Sequence, residues 1–158
     1  MSRKVSKKSP RKAARLGEAA TNYGLLPGLI GYNLRRAQAI MFDDFMRTMA
    51  ESRVTPGQFG VLTMIQANPG ISQSALARSI GTERSTMVAV IDELESRGLA
   101  ERGVAHNDRR SHALRLTAKG ETQLRALEPK VRRHEQRIAR DLSPSEVRRL
   151  IELLRRLQ

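Results

Sequence analysis

A mainly helical fold with one small β-hairpin is predicted, and three observations carry the prediction. Apolar residues recur at three- and four-residue steps in several segments, the spacing that gathers them on one helix face. Helix start and stop signals bracket those segments. Aromatics make up only 3% of the 158 residues, and there is no Trp. The core is therefore aliphatic, as is usual for helical proteins. The length is typical of one domain.

Residues 1–22 read as a basic disordered tail, rich in Lys, Arg and Ser and poor in large apolar residues. The first periodic segment follows. Leu26, Ile30, Leu34, Ala37, Met41, Phe45 and Met49 define one apolar face of a helix of about 22 residues. In "RVTPGQFGVLTMIQANPG" Thr55 is an N-cap, Pro56 sits at N1 and Gln58 at N3, a capping box. Phe59, Leu62 and Ile65 form its buried stripe, and residues 68–70, "NPG", stop it.

A short helix, "ISQSALARSIG", is capped by Ser72 and closed by Gly81. The next is "TERSTMVAVIDELESRG", with Thr82 as N-cap and Gly98 as C′ residue. Met87, Val90, Ile91 and Leu94 face its core side. Two helices joined by a tight Gly-containing turn make a helix-turn-helix. "LAERGV" and "SHALRLT" are short strands of a hairpin with residues 104–111 as its tip. Thr117 caps a long helix to about residue 140, with Leu124, Leu127, Val131 and Ile138 on one face. A second capping box, Ser143, Pro144 and Glu146, opens the last helix. Val147, Leu150, Ile151, Leu154 and Leu157 form its apolar stripe.

The net charge is +13 and the pI about 11.4. Such an excess points to a polyanionic partner. Residues 1–15 carry seven bases and no acid, and the remainder still carries +6. The tail is either a solubilising segment or an arm on DNA phosphates. There is no Cys, which removes disulfides, thiolate catalysis and thiol redox sensing. No apolar run is long enough for a membrane helix, and no secretory signal is visible. A cytoplasmic protein without membrane partners is expected. His106, His112 and His134 lack metal-ligand spacing, so no metal or cofactor is expected. No paired nucleophile and base or phosphate-cradling Gly loop is visible, so an enzyme is not expected.

A hairpin directly after the second helix of a helix-turn-helix makes a winged helix. The helix would fill the major groove while Arg109 and Arg110 at the hairpin tip reach the minor groove. Both arginines could equally belong to a solvated loop. Asp108, an acid among bases, can pair with an Arg and fix its direction.

At this point the sequence resembles the MarR family of winged-helix regulators over roughly residues 25–158. The most specific part is "ERSTMVAVIDELESRGLAERGVAHNDRRSHALRLTAKG". A wing Asp-x-Arg followed by a small residue falls on Asp108, Arg110 and Ser111. The "L-T-x-x-G" after the wing falls on Leu116, Thr117 and Gly120. The resemblance implies that Ser85, Thr86 and their neighbours approach base edges, with Arg84 either on a phosphate or plain surface. It implies that Arg110 enters the minor groove, oriented by Asp108. Val88 and Ala89 depart from the family's polar or basic residues and suit apolar contacts such as thymine methyls.

These readings predict a ligand-responsive homodimeric repressor on a palindromic double-stranded operator. Residues 53–117 would form the DNA-binding part of a single 23–158 domain, and 25–50 with 118–158 the dimerisation helices. The alternative is a constitutive architectural DNA binder, which would coat DNA without a palindrome. Residues 29–45 are similar to the first helix of a MarR subgroup responding to hydroxycinnamoyl-CoA thioesters and related aromatic acids. That similarity implies an aryl slot from Met41, Phe42, Phe45 and Phe59, and Arg35 and Arg36 toward CoA phosphates. Tyr32 would offer a hydroxyl. p-Coumaroyl-CoA, a related aromatic acyl-CoA or a free aromatic acid is the expected effector.

Overall fold

The computed structural model describes residues 21–104 and 112–157. The chain divides into two compact units, residues 1–35 and residues 36–158. In the first, a 3-10 turn at Leu26–Gly28 precedes helix α1, Ile30–Thr48, which runs on into the second. The helix has 19 residues rather than about 22. Leu29 adopts extended angles (φ −94°, ψ 132°), so the Pro27–Gly28 turn does not join it. The Asn33 amide instead donates to the Pro27 and Leu29 carbonyls at 2.9 and 2.8 Å. Of the predicted α1 stripe only Phe45 and Met49 are buried, whereas Leu26, Ile30, Leu34 and Met41 are exposed.

The second unit holds α2 (Pro56–Ala67), β1 (Ile71–Ser72), α3 (Gln73–Ile80), α4 (Arg84–Ser96), β2 (Ala100–Val104), β3 (His112–Leu116), α5 (Ala118–Ile138) and α6 (Pro144–Arg155). The local signals act as their chemistry dictates. Thr55 Oγ1 accepts from Gln58 N–H at 3.2 Å, and Gln58 Oε1 accepts from Thr55 N–H at 3.1 Å. The same reciprocal box opens α6 between Ser143 and Glu146. Ser72 caps α3 and Thr117 caps α5.

The N-cap of α4 is a correction. It is Glu83 rather than Thr82, and Glu83 makes no side-chain cap bond. Thr82 N–H is already committed to Ala77 O at 3.0 Å, closing α3 around Gly81 at φ +72°. At the other end of α4, Gly98 stands at φ +66°. Leu99 N–H reaches Leu94 O at 2.9 Å and Gly98 N–H reaches Glu95 O at 2.8 Å, the paired bonds of a Schellman stop.

The sheet is antiparallel throughout, in the order β1-β3-β2. β1 was not foreseen, since two residues carry no readable alternation. In the hairpin Ala100 faces Leu116 and Val104 faces His112, so Val104 belongs to the strand rather than the tip. Beneath the sheet, Leu62, Ile65, Leu76, Met87, Ile91, Leu94, Leu99, Leu114 and Leu124 pack in one aliphatic core. A smaller cluster of Phe45, Met49, Val54 and Leu127 joins α1 to α5.

That junction carries a buried polar group. His134 is buried, and its Nδ1 lies 2.7 Å from Asp44 Oδ2. Its ring meets Phe45 edge-on at 5.4 Å. Arg137 donates to the same carboxylate oxygen at 2.9 Å. Arg137, then His134, holds the Asp44 carboxyl well below the usual carboxylate range. A depressed folded pKa stabilises the fold above the unfolded value of about 3.9, and that stabilisation drains as pH falls below it. Asp44→Asn should therefore cost about 1–2 kcal/mol at pH 7. The gap to the wild type should narrow below about pH 4. Urea unfolding at several pH values tests this, and a gap constant from pH 7 to 3 would contradict it.

Candidate nucleic-acid interface

α4 buries Met87, Ile91 and Leu94 against the core. A 3.6-residue repeat then leaves the opposite face to solvent. Arg84, Ser85, Thr86, Val88 and Ala89 are all exposed, and Val88 is 43% exposed. The five residues singled out in the sequence therefore share one open surface at the start of α4. No acid stands in the first turn of α4, and its N-cap adds no side-chain bond. The N-cap itself is the exposed acid Glu83, whose charge offsets part of the positive end of the helix. Arg78 of α3 and Arg115 of β3 are also exposed.

Sequence reading missed the residue that sets this surface against the hairpin. Arg102 of β2 bonds Asp92 at 2.6 Å and also pairs with Glu95, both on α4. It reaches Gln73 of α3 at 3.4 Å, and its own backbone N–H donates to Glu95 at 2.7 Å. One guanidinium thus ties both helices of the helix-turn-helix to the strand that leads to the wing. The available signal was Asp92 and Glu95, three residues apart on one helix face, just before a strand that carries an Arg.

Asp108, Arg109 and Arg110 lie outside the described residues. The ends of their connection are set by the Val104–His112 pair. Thr117 and Gly120 of the motif after the wing are placed, and both serve the fold. Thr117 Oγ1 donates to Gly98 O at 2.6 Å and accepts from Gly120 N–H at 3.0 Å.

None of the suggested ligand residues of the second unit lines the cleft described below. Phe45 and Phe59 meet, with ring centroids 6.2 Å apart, but Phe45 is buried and both pack in the α1–α5 cluster. Phe59 itself is half-buried beside that cluster. Met41, Phe42 and Arg36 are exposed on α1. Tyr32 and Arg35 belong to the first unit, where Tyr32 is half-buried and tilts against Tyr23 at 6.3 Å. A cleft of about 460 Å³ opens elsewhere, bordered by Arg97, Lys119 and Lys130. No candidate metal cluster occurs among the described residues, and no described helix is long and apolar enough to cross a membrane.

Known proteins share this arrangement. The profile of the MarR family matches residues 54–112. A transcriptional regulatory protein for the hcr operon of Thauera aromatica is 41% identical over 136 residues, 85% of this chain and 82% of that protein. The transcriptional repressor CouR, bound to a 23-mer DNA duplex, is 39% identical with a TM-score of 0.83. That alignment covers 88% of this chain and 99% of CouR. CouR bound to p-coumaroyl-CoA is 39% identical with a TM-score of 0.80, covering 86% and 96% of the two chains.

Proposed function

Because this chain belongs to the MarR family of winged helix-turn-helix transcriptional regulators, we propose that it is a homodimeric repressor. It binds a palindromic operator and releases it on binding an aromatic acyl-CoA thioester. One observation carries the DNA half of this reading. The exposed start of α4 presents Arg84, Ser85, Thr86, Val88 and Ala89 on one face, clipped by Arg102 to the strand of the wing. Ser and Thr reach base edges or phosphates, and Val88 with Ala89 suits thymine methyls. In this reading residues 53–117 supply the DNA contacts, and residues 25–50 with 118–158 supply the dimerisation helices.

The effector half is supported by the likeness to CouR, whose structure with p-coumaroyl-CoA aligns with 86% of this chain. For release, the effector must favour the state that cannot bind DNA. Footprinting and gel-shift titration test both halves. One protected palindrome, released by p-coumaroyl-CoA but poorly by free CoA or p-coumarate, is expected. Uniform coating of DNA would favour a constitutive architectural binder.

The wing makes a sharper prediction. Arg110→Ala should weaken operator binding by about 1–3 kcal/mol, as for one good groove contact. Asp108→Ala should weaken it as well, because Asp108 orients Arg110. Simple Coulomb reasoning predicts the reverse, since the change removes a negative charge beside a polyanion. Fluorescence anisotropy on a labelled operator decides the sign, and tighter binding by Asp108→Ala would remove its orienting role.

A further inference from the structure

The connection between α1 and α2 is a turn held under strain. Met49 and Val54 anchor its two ends in the core. Between them Ser52 and Arg53 both donate their backbone N–H to Met49 O at 3.0 Å, so the chain folds back on itself. Arg53 completes the turn at φ +50°, the one non-glycine residue with positive φ among the described residues. An L side chain is strained in that region, and the conformation persists only where surrounding contacts impose it.

Those contacts come from α4. Arg97, the C-cap residue of α4, donates Nη2 to Ser52 O at 2.7 Å and Nη1 to Arg53 O at 3.0 Å. Two adjacent carbonyls of the turn thus meet one planar guanidinium, a fork that a Lys ammonium does not reproduce. Gln123 of α5 reaches Ser52 O only at 3.5 Å, so the short bonds are those of Arg97. The guanidinium is itself held in place. Its side chain is 25% exposed, and Glu93 pairs with it at 3.6 Å from one helical turn back. Its backbone carbonyl accepts from Lys119 of α5 at 2.7 Å. With its donors spent on the turn, Arg97 bears on DNA binding through the turn.

We propose that Arg97 is a positioning residue for DNA recognition, locking the end of α4 to the α1–α2 turn and so fixing the separation of the two recognition helices in the dimer. Dimeric helix-turn-helix proteins place those helices about one DNA turn apart, roughly 34–36 Å. One base pair more or less changes the separation of the half-sites by about 3.4 Å. A link of two short bonds to a buried-ended turn resists that change. Without the fork, Arg53 relaxes and α4 pivots on its core contacts. This role rests on the homodimer proposed above and names what sets the half-site separation it accepts.

The chain contains no Cys, so Val88→Cys on the exposed face of α4 gives one spin-label site per protomer. Dipolar spectroscopy on the labelled full-length protein, free of DNA, should give a single narrow distance. Arg97→Lys keeps the charge without the fork, and it and Arg97→Gln should both broaden the distribution. Both are also made in an Arg53→Gly background, where glycine holds φ +50° without strain and the fold no longer leans on Arg97. The link to α4 is still missing there, so the broadening should persist. Unlabelled proteins are then compared on the footprinted operator and on versions with one base pair inserted or deleted at its centre. The wild type should bind the altered operators roughly 10-fold less tightly, a loss the size of one groove contact. The Arg97 variants should discriminate less than about 3-fold. Loss of stability or of a phosphate contact alone would weaken every operator alike. A narrow distribution or an undiminished length preference in the Arg97 variants overturns the positioning role and leaves the dimer intact. A monomer, or a dimer that protects no palindrome, overturns both.

Discussion

Gly120→Ala should cost the fold about 3 kcal/mol or more, the upper range for overpacking against atoms that cannot yield. The reason is space rather than backbone conformation. A Cβ at Gly120 would land on the carbonyl oxygen of Leu99, 2.9 Å from its carbon and 3.3 Å from its Cα. That carbonyl accepts from Thr117 N–H at 3.2 Å, and Leu99 itself is fully buried. The first turn of α5 therefore sits directly on the chain leaving α4. A methyl group there must push α5 off the end of the recognition helix. Gly60→Ala is the control. Nothing stands within 4 Å of a Cβ at Gly60, and Ala in a helix interior gains up to about 1 kcal/mol over Gly. Urea unfolding of both variants reads the effect. A loss below about 1 kcal/mol at Gly120 would show that α5 shifts at little cost.

Leu150→Arg should give a folded monomer whose operator affinity falls roughly 10²- to 10⁴-fold, the gain that linking two modules normally provides. α6 begins with a full capping box but buries none of its residues within the chain. Leu150 and Ile151 are each 46% exposed, Leu153 is 42% exposed and Leu157 is 61% exposed. A 12-residue helix is marginal when it stands alone in water. Its apolar side needs cover, and in the proposed dimer a second copy supplies it. Because Leu150 is already half exposed, Arg there spares the protomer and places an unpaired charge only in the interface. Leu154 is half-buried, so Leu154→Arg reads folding and assembly together. Light scattering and anisotropy on whole and half operators separate the two. A dimer that persists in Leu150→Arg would move the interface elsewhere.

The helix ends were readable because capping is local. Thr55, Ser72, Thr117 and Ser143 each accept from a backbone N–H three residues on. No distant part of the chain enters that bond. Thr82 is not the cap, because its backbone N–H closes α3 on Ala77 O and α4 starts one residue later, with Glu83 as N-cap. The α4 surface was readable because burial of Met87, Ile91 and Leu94 forces the intervening residues outward.

Periodicity stated that α1 has an apolar side but not what covers it. Phe45 and Phe59 suit a ligand slot and a core equally well by chemistry. The approach of α5, with Leu127 and the buried His134 beside Phe45, packs Phe45 in the core and leaves Phe59 half-buried. Gly120 read as one letter of a motif, and its meaning is the carbonyl of Leu99 lying against it. The cleft is the clearest case. Ser52, Arg97 and the α5 lysines Lys119 and Lys130 come from three separate segments, and each resembles an ordinary surface residue. Sequence by itself determined what depends on neighbours a few residues away: helix ends, the helix-turn-helix, the wing strands and the family. Tertiary structure alone decided which apolar faces meet, which cations share a cleft and where a missing side chain is compulsory. Those depend on contacts between segments tens of residues apart, which local spacing does not encode.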